Sequence, residues 1–157
     1  MNSQLTLKKI IMKKTGKLVV GILFLGALTL TSCKKEGCTD SAATNYSSSS
    51  KTDDGTCSYT ATTTFWYGES TSLDLVADGA TKLTVYVDYE KVGETDANIY
   101  WTGAPECGAS GAITVTTTLI DPNETHVYSV EDQDGIEYWK GTIDLSANTC
   151  LNTELVY

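Results

Sequence analysis

Five cysteines, one histidine, twenty carboxylates and several adjacent aromatic pairs are what this chain offers for chemistry. The thiols stand at Cys33, Cys38, Cys57, Cys107 and Cys150. A zinc-type site needs clustered Cys and His ligands, but no Cys-x-x-Cys occurs and His126 is the sole histidine, so no metal site is expected. Setting Cys33 apart leaves an even number, as paired disulfides in an oxidising compartment require. Four cysteines allow three pairings. The favoured one joins Cys38 to Cys57, bracketing a polar segment, and Cys107 to Cys150, within the later part of the chain. By loop length the two bridges contribute about 3 and about 4 kcal/mol.

No Gly-x-Ser-x-Gly elbow, Gly-rich phosphate loop or His-Glu-x-x-His is present. A serine hydrolase would rest on His126, which sits at a turn-to-strand junction with no sign of a nucleophile. A glycosidase needs two carboxylates across a cleft. Yet Asp121, Asp132, Asp134 and Asp144 lie in or beside turns, where Asp serves backbone geometry. A small domain with a filled core leaves little room for such a cleft. The expectation is a non-catalytic protein with no catalytic residues and no cofactor.

Aromatic residues are the remaining signal. Trp66-Tyr67, Tyr100-Trp101 and Tyr138-Trp139 are adjacent pairs. Neighbours in a strand point to opposite faces, so each pair should place one ring in the core and one outside. Tyr67, Tyr100 and Tyr138 are the expected exposed members, a candidate row for stacking on sugar rings or on a protein partner.

The charge is uneven. All eleven basic residues are Lys, and five of them precede Cys33. From Cys33 onward six Lys face twenty acids, a formal charge of −14. Such a chain repels phosphate backbones, so nucleic acid is not an expected partner. It also repels anionic lipid, so any membrane attachment must come from something other than a basic patch.

The elements that would position these residues fall into three segments. Residues 1–32 open with Lys13-Lys14 and an apolar run over 18–28, too short to span a bilayer as a helix. That is the signal-peptide pattern, and Met12 is a candidate true start. The run ends in Leu30-Thr31-Ser32-Cys33, which resembles a bacterial lipobox. The resemblance implies that Cys33 is lipidated and becomes the new N-terminus, anchored by several acyl chains. Lys34, rather than Asp, follows the cysteine. By the same resemblance this favours an outer-membrane lipoprotein, on the cell surface or the periplasmic face.

Residues 33–59 form a cysteine-bracketed linker. Cys38-Thr39-Asp40, Ala43, Asn45-Tyr46 and Asp53-Asp54-Gly55-Thr56-Cys57 resemble a short module of Bacteroidota surface and secreted proteins. The Ser47–Ser50 run departs from the Asn and Pro of its relatives. The segment has too few apolar residues to fold without its bridge. Tyr46 is the natural residue to pack on that bridge. Asp40, Asn45, Asp53 and Asp54 are oxygen donors of the kind calcium uses, but the EF-hand register fails, so solvated turns are expected instead. Asp40-Ser41-Ala42 resembles a Bacteroidota O-glycosylation signal, which would modify Ser41.

From residue 60 the composition turns to Thr, Val, Tyr and Trp, the strand-favouring set. Short alternating runs with turn signals predict an all-β fold, an antiparallel two-sheet β-sandwich of seven or eight strands over residues 60–157. Expected strands cover 61–67, 72–76, 82–89, 97–101, 113–119, 125–131, 136–145 and 150–157, with a hairpin turn and short return at Lys91-Val92-Gly93. Residues 103–111 are read as loop, and Asp132-Gln133-Asp134-Gly135 as a hairpin rather than a calcium loop. Phe65-Trp66, Val85-Tyr86-Val87, Val92-Gly93, Cys107 to Gly111, Val115-Thr116, Tyr128, Trp139 to Thr142 and Cys150 resemble small transthyretin-like or carboxypeptidase-regulatory-like sandwiches. Together these features predict a lipid-anchored envelope protein presenting an interaction or structural domain to an unknown protein or glycan. The alternative is a carbohydrate-binding module using exposed aromatics.

Overall fold

A computed structural model describes residues 34–157, which form one compact unit. The expected signal peptide, the candidate start at Met12 and the expected lipidation of Cys33 fall on residues outside those described. The element order is β1 (Tyr59–Trp66), α1 (Glu69–Ala77), β2 (Lys82–Val87), β3 (Glu90–Asp96), β4 (Ile113–Leu119), β5 (Asn123–Asp132), β6 (Glu137–Ser146) and β7 (Cys150–Glu154). Three strands form one sheet in the order β4-β1-β7, and four form the other in the order β3-β2-β5-β6. This is the expected sandwich with seven strands. Its pairings are antiparallel except that β7 runs parallel to β1, with Thr62 opposite Cys150 and Trp66 opposite Glu154.

Period-two alternation builds the core. Leu83 and Val85 of β2, Leu119 of β4, Val130 of β5 and Leu145 of β6 are fully buried between the sheets. Phe65 packs on Tyr128 with ring centroids 5.3 Å apart. Gly93 lets the sheets close at one edge, because a Cβ there would stand 2.6 Å from Ile113 Cγ2.

The expected strand at 72–76 is a helix instead. Thr71, Ser72 and Leu75 share its buried face while Leu73 and Val76 are exposed. With one large apolar anchor, the segment shows little helical periodicity in sequence. Its end is well marked: Gly79 is left-handed, and Gly79 and Ala80 donate to the carbonyls of Val76 and Leu75, a Schellman arrangement. Ser72 Oγ then ties the helix to the Ala97 carbonyl at 2.7 Å.

Two further expectations are corrected. Residues 97–101 form no strand: Ala97 N–H donates to the Thr81 carbonyl just beyond the β2–β3 pairing, and Ile99 N–H closes a turn on the Asp96 carbonyl. Lys91-Val92-Gly93 lies inside β3, and the hairpin turns earlier, at Asp88-Tyr89, where both residues have positive φ. Positive φ at both central positions is the type I′ geometry that matches strand twist. Asp88 secures it by accepting from Val127 N–H and contacting His126 Nδ1 at 2.6 Å.

The cysteine-bracketed module does not stand apart as a linker. Asn148 Nδ2, on the turn between β6 and β7, donates to the Ala42 carbonyl at 2.8 Å, and the Tyr59 hydroxyl of β1 donates to Asp40 Oδ2 at 2.8 Å. Cys38 and Cys57 are bridged, with Cα atoms 4.8 Å apart, and so are Cys107 and Cys150, at 6.1 Å. Tyr46, the residue expected on the first bridge, is largely exposed.

Candidate functional site

Each of the four oxygen donors of the module bonds to its own backbone. Asp40 accepts from Ala42 N–H, Asp53 from Thr39 and Gly55 N–H, and Asp54 from Thr56 N–H. Asn45 bridges Thr56 and Ser58. The Ala42 amide chiefly, with the Tyr59 hydroxyl, holds the Asp40 carboxyl below the usual carboxylate range, and the Gly55 and Thr39 amides do the same for Asp53. These carboxylates lock turns of the module. Cys38, Asp53 and Cys57 converge, but the two sulfurs are bonded to each other and offer no thiolate. Ser41 is exposed at the top of the Asp40 turn.

His126 is nearly buried between two carboxylates, with Asp88 at Nδ1 and Glu124 Oε2 3.4 Å from Nε2. It joins the β2–β3 hairpin to the start of β5, and its contacts bring no nucleophile. Between the sheets, the space bordered by Phe65, Leu83, Val85, Ile113 and Leu155 amounts to about 10 Å³, too little for a ligand.

The three tyrosines expected in one exposed row are not brought together. Tyr67 is only 4% exposed and donates to the Asp96 carbonyl; burial pushes its phenol up to about 12. Tyr138 packs among Trp139 and Tyr157, with centroids 5.8 and 5.5 Å away, in a cluster that pins the C-terminal tail. Trp139 Nε1 donates to the Val156 carbonyl and the Tyr157 hydroxyl to Asp78. Only Tyr100 is well exposed, at 42%. Tyr67 shares the inward parity of Tyr59, Ala61, Thr63 and Phe65, all buried. Extending that parity by one residue would have placed it correctly. Tyr100-Trp101 lies outside any strand, so alternation does not govern it.

The first two pairs nevertheless meet. Trp101 N–H donates to the Tyr67 carbonyl at 3.0 Å, laying residues 100–103 beside the end of β1. There Trp66, Tyr100 and Trp101, with Glu69 and Glu154, line an open groove of about 420 Å³. Each wall has a local cause. Trp66 ends β1 on the outer face of its sheet, in register with Glu154 of β7. Glu69 opens α1 and accepts from the Tyr100 hydroxyl at 3.2 Å, which pushes that phenol's pKa up and keeps it a donor. The loop from Gly103 to Gly111 then crosses the outer face of β1. Cys107 is bridged there to Cys150, over Thr64, whose Oγ1 lies 3.4 Å from Cys107 Sγ. Cover by this loop explains why Thr64, although outward by parity, is fully buried. Trp66 and Trp101 are thus the groove residues that strand alternation missed.

A second groove of about 380 Å³ lies on the outer side of β5 and β6, bordered by Tyr89, Val127, Glu131, Glu137 and Lys140. Among the described residues no helix is long and apolar enough to cross a membrane. Scans of family models, curated proteins and solved structures each return no match for this chain.

Proposed function

We propose that the chain is a lipid-anchored, non-catalytic envelope protein of Bacteroidota type whose sandwich serves as an interaction domain. The observation that carries this reading is the order of the parts. An apolar run ending in Leu30-Thr31-Ser32-Cys33 leads directly into a unit closed by two disulfides. Disulfides persist in oxidising, exported compartments. The lipid on Cys33 supplies the attachment that a surface of charge −14 cannot. The lipobox and Lys34 favour the outer membrane.

The glycan-binding alternative rested on Tyr67, Tyr100 and Tyr138 as one platform. With Tyr67 buried and Tyr138 packed within its own chain, it loses that support. Cell fractionation of the wild type and a Cys33→Ser variant tests the proposal. Wild-type protein should enter the membrane fraction with an acyl-modified N-terminal cysteine. The variant should lose both the acyl mass and the membrane association. Unchanged membrane association of the variant would refute lipid anchoring.

A further inference from the structure

We infer that the groove of Trp66, Tyr100 and Trp101 receives a lysine or arginine side chain from a basic segment of a partner protein. The inference rests on the interaction-domain reading and names the partner's chemistry.

Three aromatic residues line the groove, two of them Trp, the side chain that attracts cations most strongly through its π face. The charged residues lining it are Glu69 and Glu154, and no basic residue borders it. Glu69 is steered into place by the Tyr100 hydroxyl, and Glu154 by its register opposite Trp66. An anionic ligand would meet two carboxylates with no counter-charge. A cation gains from the indoles and the carboxylates together. The wider field acts the same way. The chain has no Arg, and from Cys33 onward its acids outnumber its Lys by fourteen, so basic segments are drawn toward it before contact.

The groove is open rather than enclosed, which suits a side chain entering from a polymer better than a small molecule needing burial on most sides. Its floor is rigid: Leu155 N–H donates to the Trp66 carbonyl at 2.8 Å, and Trp101 is fixed on Tyr67. A neutral saccharide could stack on the same indoles and donate its hydroxyls to the two carboxylates, but it would gain nothing from their net charge, so its binding would depend little on salt.

The test is titration of the purified full chain in detergent with tri-lysine and tri-arginine peptides, read by tryptophan fluorescence. Two of the three tryptophans line the groove. Saturable change is expected with both peptides, weakening as salt rises, and none with tri-glutamate. A Glu69→Gln/Glu154→Gln variant should bind about tenfold more weakly, whereas a charge-matched Asp74→Asn/Glu90→Gln variant, altered outside the groove, should bind as wild type. Three results would overturn the inference. One is no saturable change with either basic peptide, and a second is equal weakening in both variants, which would mark diffuse attraction to an acidic surface. The third is saturation by a neutral oligosaccharide where the peptides fail. Any of them leaves the envelope reading standing if Cys33 proves lipidated. Loss of lipidation with intact peptide binding would separate the two the other way.

Discussion

Residues 34–58 and residues 59–157 sit in one compact unit but are held by opposite means. The first region buries two small apolar side chains, Cys38 and Ala43, and every other residue of the hydrophobic core belongs to the second. The module instead relies on one disulfide and on Asp40, Asn45, Asp53 and Asp54 bonded to nearby backbone. A short segment that cannot bury apolar surface must restrict its unfolded state or satisfy its backbone locally, and this one does both. The sandwich has a core and uses its disulfide for another purpose. Cys107–Cys150 fastens over β1 the loop whose first residue, Gly103, lines the aromatic groove. Equivalent bonds thus have different consequences, one for local folding and one for a surface feature.

The largest expected effect follows from that second bond. Replacing Cys107 and Cys150 by Ser should cost about 4 kcal/mol on the loop-entropy model. It should also loosen Tyr100 and Trp101, read as a red-shifted tryptophan emission before any loss of β-sheet circular dichroism. Truncating Leu83 to Ala attacks the apolar core directly. Urea unfolding of the sandwich should show a loss of about 2–5 kcal/mol. The module responds to smaller changes. Asn45→Ala removes bonds to both Thr56 and Ser58 and should cost about 1–2 kcal/mol. Faster hydrogen exchange would be confined to the module, a contrast that a uniform loss of protection would erase.

Titration bears on both regions, since Glu94 and Glu124 of the sandwich also fold with carboxyl pKa values below the ordinary one. Asp40 and Asp53 have folded-state pKa values below the ordinary carboxylate value. Their contribution is therefore complete above about pH 4 and is lost as pH falls through the depressed values. Tyr67 is shifted the other way, to about 12, so its contribution is complete below about pH 10 and lost as pH rises toward 12. Thermal melts should show a loss of stability in acid that Asp40→Asn reduces, while Tyr67→Phe reduces the alkaline sensitivity of the sandwich.

Much of this was legible in sequence for a physical reason. Alternation in β2, β4 and β5 sets the buried face directly, so Leu83, Val85 and Val130 could be placed without coordinates. Gly135 and the Asp132 carboxylate, which accepts from Asp134 and Ile136 N–H, marked their hairpin. Helix α1 was hidden because Leu75 alone anchors it among Ser, Thr and Asp. The parallel β1–β7 pair was hidden because it joins segments from the two ends of the domain, and no local signal encodes that register. The groove was half visible. The aromatic pairs drew attention, but the meeting of Trp66 with Trp101 depends on a backbone bond between residues far apart in sequence.

The most direct test of the contrast between the two regions is hydrogen exchange on a Cys38→Ser/Cys57→Ser variant. The account predicts that residues 34–58 lose protection while the paired amides of β2, β5 and β6 keep wild-type rates. Equal loss of protection in both regions would show that the module is a cooperative part of the core and would contradict the account.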